Sequence, residues 1–139
     1  MTASFRAGET VLHSEGQRVH PQQAEHSGRL EQRFYQVGEH VWCFVGNGLS
    51  NQTFVRAPEG IIAIDTGESI EEMEAALAAL RQETEAPIVA CIYTHFHYVA
   101  GTQAILNERG DDSLPIYGHA GIADNLNRFG GEVGPRGSR

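Results

Sequence analysis

The chain has 139 residues, of which 40% are hydrophobic and 20% are charged, and its formal net charge is −8. This length predicts a single domain with a modest hydrophobic core. The acidic balance argues against binding to nucleic acid or to an anionic membrane, because either partner would require clustered lysine and arginine side chains.

The sequence favours a cytoplasmic location. No apolar run approaches the ~20 residues of a membrane span. The amino-terminal residues lack the apolar stretch of a secretory signal peptide. Both cysteines, Cys43 and Cys91, lie within apolar runs, which is typical of buried thiols in a reducing compartment.

Residues 1–31 are polar and only weakly patterned, which predicts an N-terminal arm. The arm contains three histidines, which we interpret as solvated side chains rather than metal ligands. They are His13, His20 and His26. The main domain is predicted to span residues 32–129.

Four strands are predicted at the start of this domain. Residues 34–37 and 41–45 are rich in β-branched and aromatic side chains, and the short glycine-containing turn between them predicts a hairpin. A third strand, residues 52–56, shows alternating character. Residues 61–64 are a continuous apolar run, which indicates a strand that is buried on both faces.

A helix is predicted over residues 69–84. Ser69 and Glu72 have the spacing of a capping box at its start. Pro87 prevents the helix from continuing. Its apolar residues recur at helical spacing and form one stripe, consisting of Ile70, Met73, Leu77, Leu80 and Thr84.

The next apolar run, residues 88–93, predicts another buried strand. A strand, a helix and a strand of these lengths predict a parallel crossover. Both strands then end at the same edge of the sheet, where ligands bind in open α/β sheets. We therefore expect Asp65, after the first strand, to lie beside His95 and His97, after the second.

The rest of the chain predicts short elements. Residues 101–108 form a helix that packs Ala104 and Ile105 into the core, residues 114–117 form a strand, and residues 120–129 form another helix. Residues 130–139 have no periodicity and are interpreted as a loop or a truncated tail.

His95 and His97 are the best candidates for metal ligands. In an extended segment, side chains two residues apart project to the same side, so these imidazoles are able to hold one ion. Two histidines at this spacing also occur as core or loop residues. Asp65 is likewise suited to capping the segment that follows it.

Three segments together resemble the metallo-β-lactamase superfamily, and within it the alkylsulfatase-like branch. They are Gly48-Leu49-Ser50-Asn51, Ile64-Asp65-Thr66-Gly67-Glu68-Ser69 and Tyr93-Thr94-His95-Phe96-His97-Tyr98. The resemblance covers roughly residues 33–128. It implies a mixed β-sheet with helices packed on it, forming the N-terminal half of an αββα sandwich.

The resemblance also implies a zinc site, with one departure from the family pattern. The family motif is His-x-His-x-Asp-His, and His95 and His97 match its first two histidines. Val99 and Ala100 replace the Asp and the last His, which normally hold a second metal ion. We therefore expect one zinc ion rather than two, with at least one ligand from outside this motif.

Further roles follow from the same resemblance. Asp65 is expected to accept hydrogen bonds from the histidine loop and so to orient the imidazole rings. His119 is a further candidate metal ligand, although a lone histidine after a strand is more often structural. Tyr98 and Asn51 are candidate substrate-binding residues, and both also fit simple packing or loop roles.

The resemblance implies a zinc-dependent hydrolase that acts on alkyl sulfate or related small-molecule esters through a metal-activated water. The site is expected to be incomplete in this chain. Pairing with a C-terminal half chain, or self-association, is then expected to cover an exposed sheet face. The alternative is a non-catalytic, degenerate or truncated α/β module that binds a ligand or a partner chain.

Overall fold

The computed structural model of the chain describes residues 10–13, 15–128 and 130. Clustering of contacts divides the chain into two compact units, Met1–Glu31 and Gln32–Arg139. Most of the predicted tail, residues 131–139, and the last residue of the predicted helix 120–129 lie outside the described residues.

The first unit contains secondary structure that the sequence pattern did not predict. Strand β1 (Val11–Leu12) pairs antiparallel with β2 (Arg18–Val19), and helix α1 (Pro21–Gly28) follows. The His20 side chain accepts a hydrogen bond from the Gln22 amide and caps the helix. Proline at the first helical position is a recognisable start signal, but the polar composition of the segment obscured it.

The described part of the second unit contains a six-stranded mixed sheet with its strands in chain order. The first four strands pair antiparallel, and the last three are parallel to one another. The predicted mixed sheet with packed helices is therefore confirmed. The strands are β3 (Arg33–Gly38), β4 (Val41–Val45), β5 (Gln52–Ala57), β6 (Gly60–Ile64), β7 (Ile88–Ile92) and β8 (Ile116–Tyr117), and the helices are α2 (Ile70–Leu80), α3 (Thr102–Arg109) and α4 (Ile122–Arg128).

Helix α2 begins as predicted and ends earlier than predicted. The Ser69 hydroxyl accepts a hydrogen bond from the Glu72 amide, which satisfies one of the free amides at the helix start. The helix ends at Leu80 rather than at residue 84. The Arg81 guanidinium donates to the carbonyls of Thr84 and Ala86 and forms a bidentate pair with Glu108, and these bonds hold the chain in a turn.

One face of the sheet is buried against α2 and α3. Met73, Leu77 and Leu80 of the predicted stripe are buried, whereas Ile70 is 37% exposed and Thr84 lies beyond the end of α2 and is half-buried. Ala104 and Ile105 of α3 are buried as predicted. The buried hydrophobic strand residues of this face are Trp42, Phe44, Phe54, Ile61, Ala63, Ile88 and Cys91.

The opposite face of the sheet is apolar but open, and we call it the open face. Its side chains are half-buried or exposed, whereas most apolar strand side chains of the first face are buried. Strand register places them in two rows that cross the sheet. The first row is Tyr35, Cys43, Thr53, Ile64, Ile92 and Tyr117, and the second is Val41, Val55, Ile62 and Ala90.

The two cysteines lie on opposite faces of the sheet, and we therefore expect their thiols to differ in reactivity. Cys91 is fully buried, and burial raises the pKa of its thiol to about 12, so the reactive thiolate is scarce. Cys43 lies half-buried on the open face. Iodoacetamide at neutral pH should modify Cys43 at least about tenfold faster than Cys91, as measured by peptide mass spectrometry.

The unfolded chain in denaturant is the control, and both cysteines should then react at similar rates. Equal rates in the folded chain would contradict the assignment of the two faces.

Among the residues that the structure describes, no helix has both the length and the apolar character needed to cross a membrane.

Candidate metal site at the sheet edge

The candidate site lies at the edge of the sheet where the parallel strands end. Register pairs Ile64 of β6 with Ile92 of β7, and Ile92 with Tyr117 of β8. The first residues of β5 reach the same edge, since Thr53 pairs with Ile64. Loops 46–51, 65–69, 93–101 and 118–121 therefore share one edge, as the parallel crossover predicted.

Asp65 lies between β6 and the histidine loop, which we define as residues 94–99. Its carboxylate oxygens accept hydrogen bonds from the Thr94 amide, at 2.8 Å, and from the Thr94 hydroxyl, at 2.5 Å. Its own amide donates to the Ile92 carbonyl at 2.9 Å. Asp65 therefore holds the first residue of the loop, and its expected effect on the imidazole rings stays a prediction.

The backbone of Asp65 is itself unusual. Its φ angle is +57°, in the left-handed region, and its side chain is 8% exposed. Among residues other than glycine, aspartate and asparagine tolerate this region best. The left-handed turn lets a buried carboxylate at a strand end point back towards the neighbouring strand.

The imidazoles of His95 and His97 lie side by side. Their Nδ1 atoms are 3.2 Å apart, and the His97 amide donates to His95 Nδ1 at 3.3 Å. Two nitrogens that bind one tetrahedral zinc ion at about 2.0–2.1 Å lie about 3.3 Å from each other. The two Nδ1 atoms therefore have the spacing of two zinc ligands, and His95 Nδ1 must release the His97 amide to bind an ion.

The other corners are not supplied by a cluster in the described part of the chain. No group of three or more His, Cys, Asp or Glu side chains there is arranged to hold a metal ion. Val99 and Ala100, in place of the motif's Asp and His, have no donor atoms in their side chains. His119 Nδ1 accepts from the Gly121 amide at 3.1 Å, just before α4. Its role as a ligand stays a prediction.

The candidate substrate residues lie at the same edge. The Tyr98 ring packs at 5.1 Å from the His95 ring, centroid to centroid. Asn51 is exposed in loop 46–51, beside Leu49, which is 83% exposed. Both candidates are therefore close to the sheet edge, and a substrate role for either stays a prediction.

Asn47 organises loop 46–51, and sequence reasoning assigned it no specific contact. Its amide group donates to the Glu72 carbonyl at 2.6 Å and to Gln52 Oε1 at 3.2 Å, and it accepts from Gln32 at 2.7 Å. The Glu72 carboxylate accepts from the Glu68 amide. These bonds tie the loop to the start of α2.

Solved structures share the fold of this chain. Among solved structures, the stereoselective inverting sec-alkylsulfatase Pisa1 from Pseudomonas sp. matches 91% of the chain with a TM-score of 0.72 and 19% identity. A double mutant of the sec-alkyl sulfatase PisA1 matches 90% of the chain with a TM-score of 0.65 and 20% identity. These matches show that the chain has the fold of part of these sec-alkylsulfatase structures.

In sequence, the chain is similar to the linear primary-alkylsulfatase of Pseudomonas sp. (strain ATCC 19151), with 39% identity over 85 residues, or 58% of this chain. No protein-family model matches the chain. The predicted resemblance to the alkylsulfatase-like branch is confirmed. The chain spans 16% of the length of this relative and 24% of each solved structure.

Proposed function

We propose that the chain is the N-terminal part of a metal-dependent hydrolase that acts on sulfate esters of alkyl alcohols. The observation that supports this most is the His95–His97 pair, whose Nδ1 atoms are 3.2 Å apart beside Asp65. The names of the relatives, a primary and a secondary alkylsulfatase, suggest the substrate class.

In this proposal each side chain has a defined task. His95 and His97 hold one zinc ion, and Asp65 holds Thr94 so that the histidine loop keeps its shape. When bound, zinc supplies Lewis acidity and lowers the pKa of a bound water to about 7. The remaining ligands come from the rest of the protein, because Val99 and Ala100 offer none.

The open face suggests the partner. A contiguous apolar sheet face is normally covered in a stable protein. We propose that a C-terminal half covers it, and that isolated chains cover it by self-association. The partner on the substrate side is a small ester, and the cytoplasmic location stays a prediction.

The alternative function is a non-catalytic α/β module derived from such a hydrolase. The loss of the motif's Asp and third His, at Val99 and Ala100, favours it. The two functions differ in metal content. If the chain is part of a hydrolase, His95 and His97 bind zinc. If it is a non-catalytic module, its fold and binding do not require zinc at these histidines.

Metal content therefore tests the proposal. The purified chain, titrated with zinc against a chromophoric chelator, is expected to bind up to one ion per chain. His95→Ala or His97→Ala should weaken binding at least about hundredfold, because each removes one of two described ligands. Wild-type binding no tighter than that of His95→Ala would contradict the proposal.

A gain-of-ligand variant provides the matched control. Val99→Asp with Ala100→His restores the family motif, and Ala100 is exposed, so the larger side chain has room. This variant should bind zinc more tightly than the wild type or bind a second ion. Hydrolysis of a linear alkyl sulfate is expected only after the C-terminal remainder of the protein is present.

A further inference from the structure

Three hydroxyl groups form a continuous chain beneath the histidine loop. The Thr66 and Thr102 hydroxyl oxygens lie 3.1 Å apart, and the Tyr93 hydroxyl lies 2.5 Å from that of Thr102. Thr66 is fully buried and Thr102 is 8% exposed. Burial also raises the pKa of Tyr93, so its phenol stays protonated and able to donate.

The hydroxyl chain ends on the backbone of the loop. The Tyr98 carbonyl accepts from the Thr66 amide at 2.9 Å and from the Thr66 hydroxyl at 3.1 Å. The Val99 carbonyl accepts from the Thr102 amide at 3.2 Å and lies 2.9 Å from the Thr102 hydroxyl oxygen, whose single proton can be donated either to it or to Thr66. Two consecutive carbonyls at the end of the loop are thus held by two threonines.

One arrangement of protons gives every hydroxyl in the chain an acceptor. Tyr93 donates to Thr102, Thr102 donates to Thr66, and Thr66 donates to the Tyr98 carbonyl. The Val99 carbonyl accepts from the Thr102 amide. Each buried hydroxyl then donates once and accepts once. A fully satisfied buried network of this kind fixes the groups at its ends.

The histidine loop is therefore held at both ends. Asp65 holds its first residue, Thr94, and the two threonines hold its last residues, Tyr98 and Val99. His95 and His97 lie in between, with their Nδ1 atoms at the spacing of two zinc ligands. Loss of the hydrogen bonds to the Tyr98 and Val99 carbonyls is expected to change the distance between the two Nδ1 atoms.

We infer that Thr66, Thr102 and Tyr93 act as positioning residues that hold the His95–His97 pair in metal-binding geometry. The inference rests on the proposed function for the identity of the metal. The holding of the loop by these hydroxyls, which we call the clamp, rests only on the hydrogen bonds described above.

The test combines a metal-free and a metal-dependent measurement on the full chain. The first is hydrogen exchange of peptides covering residues 93–102, and the second is zinc affinity by chelator competition. Thr102→Val keeps the side-chain shape but removes the hydroxyl. It should speed exchange about fivefold and weaken zinc binding about tenfold.

Two further variants separate positioning from general loss of stability. Thr102→Ser retains the hydroxyl and should restore both values to near those of the wild type. Thr53→Val removes a hydroxyl that donates to Cys43 on the open face, and it should change neither value. If Thr102→Val does not fold, Tyr93→Phe removes only the outer hydroxyl and should show the same changes at smaller size.

Each outcome decides one of the two proposals. Wild-type exchange and affinity in Thr102→Val would overturn the clamp, as would equal changes in Thr53→Val. If the wild type binds no zinc, the proposed function fails, and the exchange rates alone then support or overturn the clamp.

Discussion

Gly101→Ala is expected to lower the free energy of unfolding by about 3 kcal/mol or more, since overpacking costs of this order arise when neighbours cannot move. A Cβ at this buried position would lie 1.9 Å from the Thr66 carbonyl oxygen and 2.6 Å from Met73 Cβ. The Thr66 oxygen belongs to the backbone, and Met73 Cβ is bonded directly to the backbone of α2. Neither atom can move away without a shift of the main chain. Urea denaturation followed by circular dichroism measures the effect.

Gly38→Ala is the matched control in the same unit. A Cβ there would meet only Val41 side-chain atoms at 3.8 Å and 3.9 Å, which is ordinary van der Waals contact. Its effect should stay within about 1 kcal/mol. A Gly101→Ala variant as stable as Gly38→Ala would show that the backbone at Gly101 does not approach the Thr66 carbonyl as closely as described.

Asp65→Ala is expected to remove about 3 kcal/mol of stability and to weaken zinc binding at least about tenfold. The substitution leaves the Thr94 amide and hydroxyl without their charged acceptor. It also places alanine at a φ of +57°, which costs roughly 1–2 kcal/mol more than it does for aspartate or asparagine. Denaturation and chelator competition measure the two effects separately.

Asp65→Asn separates backbone conformation from charge. Asparagine tolerates the left-handed region and can still accept from the Thr94 amide, but its amide nitrogen cannot accept from the Thr94 hydroxyl. It should recover more than half of the lost stability. An asparagine variant that matches the wild type in both measurements would contradict the role assigned to the carboxylate, and an alanine variant that matches asparagine would contradict the contribution of the left-handed backbone.

The elements that the sequence predicted well are those with strong local signals. The continuous apolar runs of β6 and β7, with an amphipathic helix between them, were sufficient to predict a parallel crossover and the meeting of Asp65 with the histidine loop. Ser69 also marked the start of α2 correctly. In each case the deciding contacts lie within a few residues or follow from general topology.

Other features depend on contacts between residues distant in sequence. Helix α2 ends early because Arg81 bonds to Ala86 and to Glu108, and helix propensity contains no such information. The hydroxyl pair of Thr66 and Thr102 joins residues 36 positions apart. The sequence offered only a faint signal, a threonine after Asp65 and another after Gly101.

The topology of the sheet also determines the order in which the site can assemble. Strands β3 to β6 are joined by short turns, so their pairings require little loop closure. Thr94 reaches Asp65 only when β7 pairs with β6, across a connection that runs from Ile64 to Ile88. The histidine loop has neither the Asp65 carboxylate nor the Thr66 hydroxyl as a partner until that connection closes. A nascent chain can therefore form its meander first, and it acquires the paired imidazoles only in a later step of folding.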